Sequence, residues 1–151
     1  MEKEPPPPYT ISQEHQKVPN EKFPIEPTEP HDPKKTYLFF NEDVHMTEDY
    51  IAIQWYYFPT AGQKKIKYED ISKVSLGYIS DLSAFDTKEW GMGLNDIWWH
   101  CDMERMGRLR YILLQLHNSM FRVGITTDDN QINQIYQLIQ KQMRSHQKEK
   151  S

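Results

Sequence analysis

The amino-acid sequence predicts a mainly β domain with a β-barrel architecture and one C-terminal α-helix, preceded by a proline-rich tail. Three observations carry this. Residues 50–68, YIAIQWYYFPTAGQKKIKY, alternate at period two on either side of a Pro-to-Gly turn. Further alternating runs follow between residues 73 and 125, and after Thr126 the apolar spacing changes to steps of three and four, the period of one helix face.

In chain order, nine of the ten prolines fall within the first 33 residues, so residues 1–36 lack the apolar content for a core and are expected to be a disordered tail, with polyproline II character at Pro5–Pro8. Tyr37 to Phe40 reads as the first strand. In the hairpin, Ile51, Ile53, Trp55 and Tyr57 share the face expected in the core, and Ala52, Gln54 and Tyr56 the other. Pro59-Thr60-Ala61-Gly62 reverses the chain, since proline presets φ and glycine tolerates positive φ. The return strand sends Ile66 and Tyr68 inward and Lys65 and Lys67 outward.

Residues 73–79 alternate again, with Val74, Leu76 and Tyr78 together and Gly77 marking a bulge or a close backbone approach. Residues 80–96 have no stable period and read as a long loop. A short aromatic strand at 97–101 and a charged turn at 102–107 lead to a second hairpin, 109–116 and 120–125, in which Ile112, Leu114 and Leu116 share one face and Phe121, Val123 and Ile125 another. Thr126 is the expected N-cap, with Asp129 in capping-box position and Asp128 complementing the helix dipole. Ile132, Ile135, Tyr136, Ile139 and Met143 form the buried stripe, and beyond Arg144 the polar end, 145–151, is expected to fray. The folded domain is thus placed at 37–144.

A formal net charge of −4 argues against bulk electrostatic binding to nucleic acid. One cysteine, Cys101, excludes an intrachain disulfide and suits a reducing compartment. No run approaches the ~18 apolar residues of a membrane span, and the N-terminus lacks the apolar core of a secretory signal. The expected location is cytoplasmic, at most peripheral to a membrane.

The order of elements resembles the pleckstrin-homology-like barrel, most closely the bacterial-type pleckstrin-homology superfamily. The residues that carry the likeness are Ile53 to Phe58 (IQWYYF), a Pro-Thr turn, and Lys65-Ile66-Lys67-Tyr68-Glu69-Asp70-Ile71, followed by Trp90-Gly91, Trp98-Trp99 and Gly124-Ile125-Thr126. The likeness covers roughly residues 37–144. It implies a seven-stranded barrel capped by the helix, and a family whose members bind phosphoinositides, anionic membrane or peptides. The lipid-binding signalling members carry a lysine and then a Lys/Arg-x-Arg pattern across the first hairpin; here Lys64, Lys65 and Lys67 stand there without arginine, so the planar fork that grips phosphate is missing. In the tail, Pro6-Pro7-Pro8-Tyr9 resembles the PPxY ligand of WW domains, which implies WW-containing partners such as HECT-type ubiquitin ligases or signalling adaptors. Four-letter patterns also arise by chance in proline-rich linkers.

Candidate chemistry is sparse. Lys64, Lys65 and Lys67 could meet an anionic surface, although lysine also marks ordinary solvated strand edges. Arg105, Arg108 and Arg110 lie beside Asp102 and Glu104 and read as locally paired surface. Trp90 and Met92 stand in a glycine-flanked loop and, with Trp98 and Trp99, could line a groove; aromatics on strands are more often core. His100, Cys101, Asp102 and Glu104 are metal-ligand types, but neighbours on a strand face opposite sides and no zinc spacing accompanies them. His45 and His117 read as turn or strand-end residues. No nucleophile elbow, phosphate loop or paired-carboxylate motif is present. These features predict no catalytic residues, metal or cofactor, and a non-enzymatic interaction or adaptor module acting on a protein partner. The alternatives are a weak peripheral binder of anionic membrane through the first hairpin, and a small enzyme or apolar-ligand carrier built around the Trp90 loop.

Overall fold

The computed structural model describes residues 29–150, so the Pro6-Pro7-Pro8-Tyr9 motif lies outside the described residues. Four strands form an antiparallel meander: β1 (Phe39–Phe40), β2 (Val44–Met46), β3 (Tyr50–Ile53) and β4 (Lys64–Lys67), in that spatial order. Short polar side chains make its corners. Asn41 Oδ1 accepts from the backbone N–H of Asp43 and Val44, both at 2.8 Å, and Thr47 Oγ1 accepts from Asp49 and Tyr50 at 3.2 and 3.3 Å. A 3-10 turn at Tyr68–Asp70 then carries the chain into the second sheet.

That sheet comprises β5 (Ile71–Tyr78), β6 (Gly91–Met92), β7 (Ile97–Trp99), β8 (Arg110–Leu116) and β9 (Arg122–Ile125), in the order β5-β8-β9-β7-β6. All its pairs are antiparallel except β7 with β9. One helix among the described residues, α1 (Ile132–Lys150), packs against β5, β8 and the turn at Tyr68–Asp70. The core is built from the inner faces of both sheets and one helix stripe: Val44, Met46, Ile51 and Ile53, then Ile112, Leu114 and Ile125, then Ile132, Ile135 and Ile139, all fully buried.

The expected mainly β fold with its C-terminal helix is present, but among the described residues no closed seven-stranded barrel is formed. The nine strands described fall into separate four- and five-stranded sheets, because the Tyr68–Asp70 turn redirects the chain and the sheet edges are not laddered to one another. The expected loop at 80–96 holds a 3-10 turn at Ile79–Asp81 and strand β6.

The hairpin pairs as expected, Ile51 with Ile66 and Tyr50 with Lys67, but the strand alternation stops at Ile53. Trp55 has φ 56°, which turns the chain out of the ladder and reverses the inside-outside parity: Tyr56 is buried and Tyr57 is 42% exposed. The positive φ of the turn falls on Ala61, at 68°, and not on Gly62. On the opposite face Ala52 and Gln54 are also fully buried. The cover there comes from residues assigned by sequence to the tail. Glu29 N–H donates to Gln54 Oε1 at 2.8 Å, and His31, Tyr37, Phe40 and His45 form a ring cluster in which Phe40 stacks on His45 at 3.9 Å. Glu29 and His31 thus lie against the first sheet, and His45 is an interior residue of β2.

The helix also departs from expectation at its start. Thr126 is buried as part of a polar cluster, and the first turn is organised by Asp128, whose carbonyl accepts from Gln131 and Ile132 and whose Oδ1 accepts from Asn130 at 2.9 Å. Past Arg144 the helix continues to Lys150, and His146 Nε2 donates to the Glu48 carbonyl at 2.9 Å.

Gly77 and Gly124 are both close approaches. A Cβ on Gly124 would lie 2.4 Å from the ring of Trp99, which is fully buried and donates its indole N–H to the Asp86 carbonyl. A Cβ on Gly77 would meet the half-buried ring of Tyr111 at 2.6 Å. Gly124→Ala should therefore lower unfolding free energy by about 2–3 kcal/mol and Gly77→Ala by less, because only Tyr111 has room to swing aside. Urea denaturation of the two variants checks the order; an equal loss would contradict it.

Candidate functional site

The end of the first hairpin is built by its own backbone. Tyr56 and Tyr57 N–H both donate to the Gly62 carbonyl at 3.0 Å, and Ala61 N–H donates to the Tyr57 carbonyl at 2.6 Å, closing residues 56–62 into a compact turn. Two indoles from the second sheet then fasten it: Trp90 Nε1 and Trp98 Nε1 donate to the Tyr56 carbonyl at 3.1 and 2.8 Å. Cys101 N–H donates to the Trp55 carbonyl at 2.8 Å.

On this frame the rings are arranged edge to face. Phe58 meets Trp90 at 5.1 Å and 90°, Trp55 meets Trp90 at 6.2 Å, and Tyr56 meets Tyr57 at 5.1 Å. Lys64 Nζ lies 5.5 and 5.6 Å from the Tyr56 and Tyr57 ring centres. Tyr57 and Phe58 remain 42% and 57% exposed, which leaves a rigid aromatic tip with a cation beside it. Such rings offer large contact area at low entropic cost on binding.

The structure joins some of the sequence-derived candidates and separates others. Trp90 does reach the hairpin, but its indole N–H is turned inward. Met92 is half-buried in β6 opposite Trp98. Lys64 belongs to the aromatic tip, whereas Lys65 and Lys67 project from the other side of β4, with Lys65 Nζ 4.9 Å from the Tyr50 ring centre, so the three lysines do not form one patch. The expected arginine surface is also split. Arg105 is 1% exposed, Arg108 pairs with Asp102 at 3.2 Å and Glu104 at 3.7 Å, and Arg110 stacks on Tyr78 at 4.3 Å. Tyr57 as a surface residue was hidden by the alternation rule. The signal that could have revealed it is the run WYYF before a proline, since four consecutive large rings cannot all face one core.

A polar joint that sequence reasoning did not assemble lies where the β1–β2 corner, the segment after β7 and the start of α1 meet. Thr126 bridges two residues two apart: its hydroxyl donates to Asp102, and its N–H lies 3.1 Å from His100 Nε2. Thr127 hydroxyl donates to Asp43 Oδ2 at 2.7 Å, and Asn41 Nδ2 donates to Thr127 Oγ1 and Gln131 Oε1 at 3.0 and 2.8 Å. Of these, Asn41, Asp43, Thr127 and Gln131 wall a polar cleft of about 330 Å³ with Glu104 and Arg108.

Burial dominates the electrostatics here. It pushes Asp43 up to about 6 against the Thr127 hydrogen bond, lowers His100 well below the usual imidazole range, and raises the Cys101 thiol to about 11. For Asp102 burial acts upward too, but hydrogen bonds from Thr126 and Arg108 outweigh it and hold the carboxylate below its ordinary value. The joint thus contains one anchored ion pair, and the Cys101 sulfur is kept as a thiol. Among the described residues no group of three or more His, Cys, Asp or Glu is placed to hold a metal ion, and no helix is long and apolar enough to cross a membrane.

Comparisons with protein-family models, with curated proteins and with solved structures returned no match.

The Asp43 shift makes a pH-dependent prediction. Its folded-state value is raised from 3.8 to about 6, so its favourable contribution is complete below pH 3.8 and is lost as pH rises through 6. Asp43→Asn, which can still accept from Thr127, should raise stability by about 1–2 kcal/mol at pH 8 and change it little at pH 4. Thermal melts at the two pH values test this; an equal effect at both would refute the assignment.

Proposed function

We propose that this chain is a non-enzymatic, cytosolic interaction module of pleckstrin-homology-like build whose binding face is the aromatic tip. The carrying observation is that Tyr57 and Phe58 are left exposed on a turn clamped by two indoles on a single carbonyl. The outward parts of these rings are left in water at a cost that a docking partner would recover. The partner that fits is an extended peptide with apolar or proline side chains to lie across Tyr57 and Phe58, and an acidic group to meet Lys64. The Pro6-Pro7-Pro8-Tyr9 tail motif adds a second contact in this reading, with a WW-domain protein.

Selection of a displayed peptide library on the full chain tests the tip. Selected peptides should lose at least tenfold in affinity on Phe58→Ala, while the variant stays folded with at most a small drop in melting temperature from the lost Trp90 contact. Peptides insensitive to Phe58→Ala would refute the reading. Salt-sensitive sedimentation with anionic liposomes, lost in a Lys64/Lys65/Lys67→Ala variant, would replace it with the membrane-binding alternative. For the tail, a peptide of residues 1–15 should bind WW domains at least tenfold better than its Tyr9→Ala form; equal binding would remove that contact.

A further inference from the structure

A second cleft, of about 270 Å³, opens between the loop residues Ala84, Thr87, Lys88 and Glu89 and the turn residues Met103, Arg105 and Met106. Met103 and Met106 are 50% and 64% exposed, while Arg105, which lines the same cleft, is 1% exposed. The guanidinium is fixed from three directions. One Nη donates to the Lys88 carbonyl, the other to the His100 carbonyl at 2.5 Å, and its plane lies 4.6 Å from the Trp99 ring centre.

What is missing is a carboxylate in direct contact. Arg108, three residues on, takes both local carboxylates, Asp102 and Glu104, and none of the ion pairs among the described residues involves Arg105. A guanidinium carries five N–H groups, and Nε–H has no partner among the described residues. Burial lowers its pKa to about 10, so it stays charged at neutral pH. Asp102, Asp43 and Glu89 act on this cation only through space, and its hydrogen bonds go to carbonyls, so the buried charge has no carboxylate in contact with it.

We propose that this cleft binds a carboxylate carried on a small apolar body, with the Arg105 guanidinium as the anchor and Met103 and Met106 as the adaptable walls. Carboxylate geometry matches the guanidinium fork, and thioether side chains mould to irregular apolar shapes. Glu89 on the rim selects against a second negative charge, so monocarboxylates are preferred over diacids. The same chemistry is offered by a free apolar acid and by the C-terminal carboxylate of an apolar peptide. The site does not depend on the aromatic-tip reading, and its test uses other residues and other ligands.

The test is titration of the full chain, followed by NMR, with hexanoate, hexanol, hexylamine and adipate, and with an apolar tetrapeptide as free acid and as amide. Hexanoate or the free-acid peptide should bind at least tenfold more tightly than the alcohol, amine, diacid or amide. Which of the two binds identifies the natural source. Met106→Glu, at an exposed wall position, should reduce this binding at least tenfold with an unchanged melting temperature, and Arg105→Lys should abolish the preference for acid over alcohol if it folds. The proposal is overturned if neither acid binds saturably, if hexanol matches hexanoate, or if Met106→Glu leaves the affinity intact.

Discussion

Two consecutive carbonyls, of Trp55 and Tyr56, join the two sheets. The first accepts the Cys101 N–H and the second accepts the indoles of Trp90 and Trp98, so a residue of β7, one just after it and the residue preceding β6 are tied to the end of the first hairpin. These carbonyls are free to point at the second sheet only because Trp55 takes φ 56° and leaves the β3–β4 ladder. Had the strand continued with regular alternation, each carbonyl would lie in the sheet plane and the rings of residues 55–58 would alternate between core and solvent. The left-handed residue thus sets both the attachment of one sheet to the other and the exposure of Tyr57 and Phe58.

The polar joint on the far side of the chain order solves a different problem. Three elements with polar ends, the β1–β2 corner, the segment after β7 and the start of α1, must meet without leaving backbone groups stranded. Asn41 and Asp128 side chains accept from the backbone N–H groups of Asp43, Val44 and Asn130, the Thr126 and Thr127 hydroxyls donate to Asp102 and Asp43, and Asp102 serves Thr126, Arg108 and the Glu104 N–H together. Burial shifts Asp43, His100 and Cys101 in the direction of their neutral forms, whereas Asp102, which has more donors, is held below the ordinary carboxylate value.

Much of the fold was legible from periodicity. Ile51 opposite Ile66, the pairing of β8 with β9, and the Ile132, Ile135 and Ile139 stripe all follow from steps of two or of three and four, and the close approach expected at Gly77 is the Tyr111 ring. The failures have physical causes of the opposite kind, where a distant partner overrules a local pattern. Gln54 is buried because Glu29 and Gln63 satisfy its amide, and nothing within its own strand signals that cover. Strands β2 and β6 are three and two residues long, too short for a period to register. Thr126 has the right neighbours for an N-cap but finds His100 and Asp102 instead. Of the candidate site, Trp90 and Lys64 were visible as residue types in a suggestive context. Tyr57 was misplaced by the parity change, and Arg105 by the assumption that neighbouring charges share a surface.

The 80–96 segment, which reads from sequence as a long loop, is held from several sides. The Asp86 carbonyl accepts the Trp99 indole, the Lys88 carbonyl accepts Arg105, the Glu89 carbonyl accepts the Asp102 N–H, and Trp90 is fastened to Tyr56. Consecutive carbonyls and side chains of one segment are therefore committed to the hairpin, to the buried arginine and to the second sheet. A loop tied in this way acts as a shelf and not as a lid. Because its residues are already ordered, a ligand meeting it loses little additional chain entropy, which is the term that most often erodes affinity at loop-built sites. The same attachments that complete the fold thereby give the aromatic tip and the arginine cleft surfaces of fixed shape.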